Sequence, residues 1–402
     1  MFVFVCAGCG AEVTAALSHV AFPAHGRQKY GNGIQLPVLM EPGTFAVDPD
    51  PWGPPWRRWD EIGPDEAAAR GVYAPVYALS DAEPGTTVIA PGDTRGTVLI
   101  QDDCGGYCCG LDGGDGPNMA CEQCGLGVAT RVDDCSLWQA VWLAPDAVRR
   151  VPVDGTGEAA PVSWTALAAE GQGTPAFAPI TSWGSRPHWN RWWSWNPQWE
   201  AAASQALAHL LAASRGRPVT VPDGMTARVF RRALDTLLPP GPPARRAVLA
   251  GPGLPAPDTH ADSDSDSDAD ADSDCESGAG AGASAGAGAG AGADILLVPS
   301  HPRTGEIWAP SGPAATPAAL VPLPAGVWLG LVFPERRLPV PASGGMPDGV
   351  LRDNPDAPLS PYPFRMDFQV FLYTLSRLPA VRSPWLRRIH QEVSQHRHTG
   401  LF

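Results

Sequence analysis

"CAGCGAEV", residues 6–13, and "CEQCGLGV", residues 121–128, are two copies of one pattern, Cys-x-x-Cys-Gly-x-x-Val, with 111 residues between the second Cys of the first and the first Cys of the next. Each position has a physical reason. A tight turn between the two cysteines aims both sulfurs at one cation, about 2.3 Å away in a zinc thiolate. Glycine after the second Cys lets the chain leave in a left-handed conformation, and Val three residues later restarts an extended strand. Strand, turn and strand are therefore predicted at both places. Two such turns facing each other supply four thiolates, so the candidate metal ligands are Cys6, Cys9, Cys121 and Cys124.

The longer stretches "FVFVCAGCGAEV" and "NMACEQCGLGVATR" resemble the paired knuckles of zinc ribbons over about thirty of the 402 residues. The resemblance implies a metal-bound β-hairpin pair, with Cys6, Cys9, Cys121 and Cys124 as ligands, and a structural zinc as cofactor. It departs from the pattern in the length between the knuckles, which requires an inserted subdomain whose ends lie close together. A local alternative stays open. Cys104 and either Cys108 or Cys109 could join Cys121 and Cys124, leaving Cys6 and Cys9 without partners. A variant has a second ion held by Cys104, Cys108, Cys109 and Cys135. Adjacent Cys108 and Cys109 are poor joint ligands, because successive side chains of an extended chain point to opposite faces. The block 105–138 is also similar to cysteine-dense stretches of bacterial proteins, a likeness that implies no activity.

Composition narrows the function classes. The net charge of −14 is uneven: residues 258–276 carry nine acidic side chains and no basic one, leaving 33 acidic against 28 basic, or −5, elsewhere. No broad basic footprint exists for nucleic acid, so a nucleic-acid partner is disfavoured. Lys29 is the only lysine among 28 basic residues; abundant Arg, Ala, Gly and Pro read as the mark of a GC-rich genome. No run of eighteen apolar residues suggests a membrane span, so no membrane partner is expected. "MFVFVCAGCGAEV" lacks a basic leader, and the expected location is the cytoplasm. In a reducing compartment, paired cysteines read as metal ligands or redox thiols before disulfides.

The predicted fold class is α+β: a β-rich, zinc-ribbon-like domain over 1–150, then an α+β body in two parts, 151–253 and 294–402. The stretch between them, 254–293, is acidic and then Gly-Ala repeats. It lacks large apolar residues to offset the entropy of ordering and is expected to be disordered. Strands are predicted at 34–40, 43–48, 86–91 and 96–100, with "GDTR" turning the last two into a hairpin. "PDPWGPPWRRW", 49–59, reads as a Pro-rich surface loop or cover. Asn196 and Pro197 start a helix reaching Gly216; further helices are predicted at 226–238, at 366–378, and after Ser383-Pro384. "DILLVP", 294–299, and "GVWLGLVF", 326–333, read as buried strands.

Other residues suggest chemistry less directly. "TSWGSRPHWNRWWSWNPQWE", 181–200, holds six of the fifteen Trp. Trp189, Trp192, Trp193 and Trp195 are a candidate aromatic platform for a ligand, against the plainer reading of a loop that clamps the next helix to the core. His396 and His398 lie in a tail expected to fray, and "GLDGGDGPN" lacks the ligand pattern of a calcium loop. No phosphate loop, His-Glu-x-x-His or Gly-x-Ser-x-Gly motif occurs. The leading expectation is a non-enzymatic, zinc-stabilised protein acting in binding or assembly, with a protein partner possible in principle. The alternatives are a thiol- or metal-dependent hydrolase or transferase using the Cys block and the Trp-rich loop, and a nucleic-acid-binding ribbon protein.

Overall fold

The computed structural model describes residues 1–30, 33–101, 110–153, 162–171, 173–182, 191–242, 244–255, 292–310, 318–334 and 363–395. Both strands and helices are present, and no helix among these residues is long and apolar enough to cross a membrane. The linker predicted at 254–293 falls almost wholly outside the described residues, as do Cys104, Cys108, Cys109, Cys275, Trp189, His396 and His398.

The first half of the chain forms β1 (Phe2–Cys6), β2 (Ser18–His19), β3 (Ile34–Gln35), β4 (Thr44–Val47), β5 (Trp56–Arg58), the short helices α1 (Trp59–Ile62) and α2 (Pro64–Ala69), β6 (Ala78–Ser80), β7 (Thr87–Ile89) and β8 (Thr97–Leu99). It continues with β9 (Met119–Cys121), β10 (Gly127–Val132), β11 (Ala140–Leu143) and β12 (Val148–Pro152). Seven strands make one sheet in the order β2-β4-β7-β11-β10-β9-β8, while β1 pairs separately with β12. Alternation along each strand explains how the sheet is buried on both faces. Phe45, Ile89, Val141 and Leu143 point to one face, where Phe4, Val13 and Leu17 cover them. Ala46, Val88, Ala140 and Trp142 point to the other, under Leu36, Leu39, Met40 and Trp138.

The predicted hairpin around "GDTR" does not form. β7 pairs with β4 and β11, whereas β8 pairs with β9 at the far edge of the sheet. The intervening chain is drawn to the N-terminal segment instead: Asp93 O accepts from Ala15 N at 2.8 Å, and Asp93 Oδ2 from Gly43 N at 2.8 Å. The stretch 49–59 is more than a cover, since it carries β5 and places Trp52 flat against Trp142, centroids 4.4 Å apart.

The second half contains α3 (Trp164–Glu170), β13 (Phe177–Ser182), β14 (Arg191–Trp195), α4 (Pro197–Ser214), β15 (Val219–Thr220), α5 (Met225–Leu237), β16 (Arg245–Leu249), β17 (Ile295–Ser300), β18 (Ala319–Pro324), α6 (Ala325–Val332), α7 (Phe368–Arg377) and α8 (Pro384–Gln395). Strands β15-β16-β17-β18 form a parallel sheet. The near-continuous apolar run of β17 fits such a sheet, which needs cover on both faces. Ile295 and Leu297 pack with Trp199, Leu211, Phe230 and Phe371, and Leu296 and Val298 with Ala250. Helix α4 starts where expected, its first turn capped by Asn196, whose Oδ1 accepts from Gln198 N at 2.9 Å.

"GVWLGLVF" is a helix, not a strand. Val327, Trp328, Leu329 and Leu331 are buried while Phe333, just past the helix end, is exposed, and periodicity alone does not separate helix from strand in so short an apolar run. Gly326 and Gly330, one turn apart, let residues 173–174 and the Trp199 indole approach the backbone closely: a Cβ at Gly330 would sit 2.6 Å from Trp199 Cζ2. The halves are joined by β3 pairing with β13 and by Ala21 N, which donates to Pro302 O at 3.1 Å; within the second half His301 Nδ1 accepts from Arg303 N and Thr304 N, and its Nε2 lies 2.8 Å from Val162 O.

Candidate metal centre

The two knuckles are built alike. Cys6 N donates to Ala11 O at 2.7 Å and Gly10 N to Cys6 O at 2.9 Å. In the second copy Cys121 N donates to Leu126 O at 2.8 Å and Gly125 N to Cys121 O at 2.8 Å. Gly10 and Gly125 both have the left-handed φ that the pattern requires, 82° and 76°.

Two routes bring the knuckles together across the long insertion. The first runs along the sheet: from Cys121 through β10 and β11 to β12, whose Val148 pairs with Cys6, while Ala7 N donates to Ala147 O at 2.9 Å. The second is the segment 94–97. Arg95 N donates to Val13 O at 2.9 Å on one side, and Gly96 O accepts from Glu122 N at 2.9 Å on the other. Gly96 has φ 52°, and a Cβ there would meet Glu12 O at 3.0 Å, so a larger residue at this crossing is strained and must push back the Glu12 carbonyl. The Gly in "GDTRG" is the trace of this role in the sequence, and it reads there only as a turn.

The four predicted cysteines therefore meet. Their sulfurs all lie within 4.8 Å of one another, with Cys6 Sγ 3.5 Å from Cys124 Sγ and Cys9 Sγ 3.6 Å from Cys121 Sγ. Disulfide sulfurs would be about 2.05 Å apart; ligands on a tetrahedron with bonds of about 2.3 Å stand roughly 3.8 Å apart. The spacing matches the second case. Cys6 and Cys121 are buried beside Phe4, Val128 and Val148, and Cys9 and Cys124 face solvent. Gly8 sits over the cluster, where a Cβ would be 3.5 Å from Cys124 Sγ and 3.7 Å from Cys6 Sγ. Four soft donors, aimed inward from two matched turns, can hold one metal ion.

The sulfurs are not equivalent. Burial opposes ionisation of Cys6, but the N–H groups of Cys9 and Gly8, with the Cys124 and Cys121 thiols, outweigh it and lower Cys6 to about 7. The Leu126 N–H favours a Cys124 thiolate, yet the Cys6 sulfur beside it, burial and the Cys9 and Cys121 sulfurs push Cys124 up to about 12. Cys6 is thus the more acidic of the pair, and either sulfur can donate the proton across their 3.5 Å contact. A cation binding all four displaces that proton.

Cys121 and Cys124 face Cys6 and Cys9, whereas Cys104, Cys108 and Cys109, on which the local four-cysteine alternative depends, lie outside the described residues. Cys135 is buried and accepts from Ser136 Oγ at 3.8 Å. Of the candidate aromatic platform, Trp195 is the one residue whose side chain is described. Trp195 is a core residue, 3 % exposed, packed on Phe177, Trp199 and Phe364 under the Arg228 guanidinium. Its position inside β14, paired with β13 over the helical layer, buries it. Trp192 and Trp193 lie in the same strand, and Trp189 is outside the described residues. "GLDGGDGPN" is a glycine turn in which Asp112 Oδ1 accepts from Gly114 N at 2.9 Å. No protein-family model, curated protein or solved structure matches this chain.

Proposed function

We propose that Cys6, Cys9, Cys121 and Cys124 hold a structural zinc ion of the ribbon type, and that the protein is a zinc-stabilised cytoplasmic binding or assembly protein. The observation that carries the metal reading is the convergence of four sulfurs within 4.8 Å from two turns of the same hydrogen-bond pattern. Four thiolates complete a tetrahedron and leave no position for a substrate, which favours a structural over a catalytic role. A clip between Cys9 and Cys121 closes a loop of 111 intervening residues; closing a loop of that length removes roughly 5 kcal/mol of chain entropy from the unfolded state in the cross-link analogy. The ion would thus clip together the two ends of the long insertion between the knuckles. Binding or assembly follows from a scaffold whose motifs carry no catalytic signature.

Metal analysis of the purified chain tests this directly. One zinc per chain is expected, with loss of structure around β1 and β9 when a chelator removes it. Four-thiolate sites also take iron, so one iron per chain would replace zinc in the proposal. A metal-free, fully folded protein with a thiol reactive towards iodoacetamide at neutral pH would overturn it in favour of thiol chemistry.

A further inference from the structure

A cleft stands apart from the cysteines. About 780 Å³ in volume, it opens between the Trp138–Trp142 face of the seven-stranded sheet and helices α7 and α8. Its size is that of a small-molecule site, roughly 300–1,000 Å³. One wall is indole: Trp52 lies parallel to Trp142, rings 6° apart. At the lip, on the paired strands β5 and β6, Trp56 is 51 % and Tyr77 77 % exposed. Large aromatic surface left bare beside a concavity, rather than scattered, marks a contact surface.

The polar lining carries both signs. Arg27, Lys29, Arg70 and Arg377 border the cleft, against the carboxylates of Asp50 and Asp112. Three of these cations are already engaged: Arg27 with Asp48, Arg70 with Asp81 and Glu66, and Arg377 with Asp50 at 2.7 Å. Lys29 has no ion pair or hydrogen bond to a described residue, and it is the only lysine of the chain. An exposed ammonium on the rim of an aromatic cleft is a ready point charge for an anion.

We propose that this cleft binds a small aromatic anion, a flat ring bearing a carboxylate, sulfonate or phosphate, with the ring between the Trp52 indole and the exposed Trp56 at the lip and the anionic group held by Lys29. The site requires both halves of the chain, since α7 and α8 close it over the sheet.

The test uses the full chain and two fluorescent probes that differ in one charge, anilinonaphthalene sulfonate and uncharged phenylnaphthylamine. One site per chain should bind the sulfonate about tenfold more tightly than the neutral probe, the worth of one charge-assisted contact. Lys29→Gln should abolish that preference without changing the melting curve, and Trp56→Ser should weaken both probes. Phe333→Ser, on an exposed residue outside the cleft, should change neither. Equal affinity for the two probes in the wild type, sulfonate binding unaltered by Lys29→Gln, or a Phe333→Ser loss as large as that of Trp56→Ser would each overturn the proposal.

Discussion

Glu200 offers a quantitative test of how the two halves are held together. It lies in the first turn of α4, 5 % exposed, hydrogen-bonded to Tyr30 of the first half. Burial dominates and raises its carboxyl from 4.5 to about 8; the Tyr30 hydrogen bond offsets part of this, nearby Asp367 adds to it, and Arg365 opposes it. The folded state therefore holds the proton more tightly than the unfolded chain. The resulting stability is complete below 4.5, declines as pH rises, and is gone above about 8. At about 1.4 kcal/mol per pH unit, the loss between about pH 5 and pH 9 is on the order of 4 kcal/mol. Glu200→Gln keeps an acceptor for Tyr30 and cannot ionise. Urea unfolding followed by Trp fluorescence should show the two proteins close in stability at the acid end, with the variant ahead by several kcal/mol at the alkaline end. Stability curves that run parallel across the window would refute the reasoning, because every other titrating group is common to both proteins.

Two further predictions concern the cysteine cluster. Gly96→Ala places a Cβ against Glu12 O at 3.0 Å on a residue with φ 52°; it should cost about 1 kcal/mol of stability and weaken metal retention in a chelator competition, whereas unchanged retention would mean that segment 94–97 does not hold the knuckles. Zinc uptake should release the Cys124 proton, held up to about 12, and should weaken as pH falls through about 7, where Cys6 also protonates. A pH-stat trace without acid release on zinc addition would contradict that order.

How much of this was readable before folding differs from element to element. The turns at Cys6–Cys9 and Cys121–Cys124 are local: a left-handed glycine and backbone donors within five residues determine them, so a repeated pattern of eight residues carries the information. The same holds for α4, whose cap and first-turn proline are adjacent in sequence. The linker's composition likewise reads without tertiary help. The meeting of the two knuckles is different. It depends on β10, β11 and β12 returning the chain to β1, and on Gly96 fitting between distant backbones.

"GVWLGLVF" packs as a helix in which two glycines one turn apart admit the Trp199 indole and residues 173–174, a contact with no trace in local periodicity. "GDTR" did not close a hairpin because Asp93 found partners at Ala15 and Gly43. Trp195 left the candidate platform for the core, while Trp52 and Trp56, read as part of a cover, came to line the cleft. Sequence by itself decides what short-range hydrogen bonds and backbone sterics decide. Which aromatic rings are buried, which sulfurs meet and where a cavity remains are settled by strand order and packing between residues far apart in the chain, and those exist only once the tertiary structure has closed.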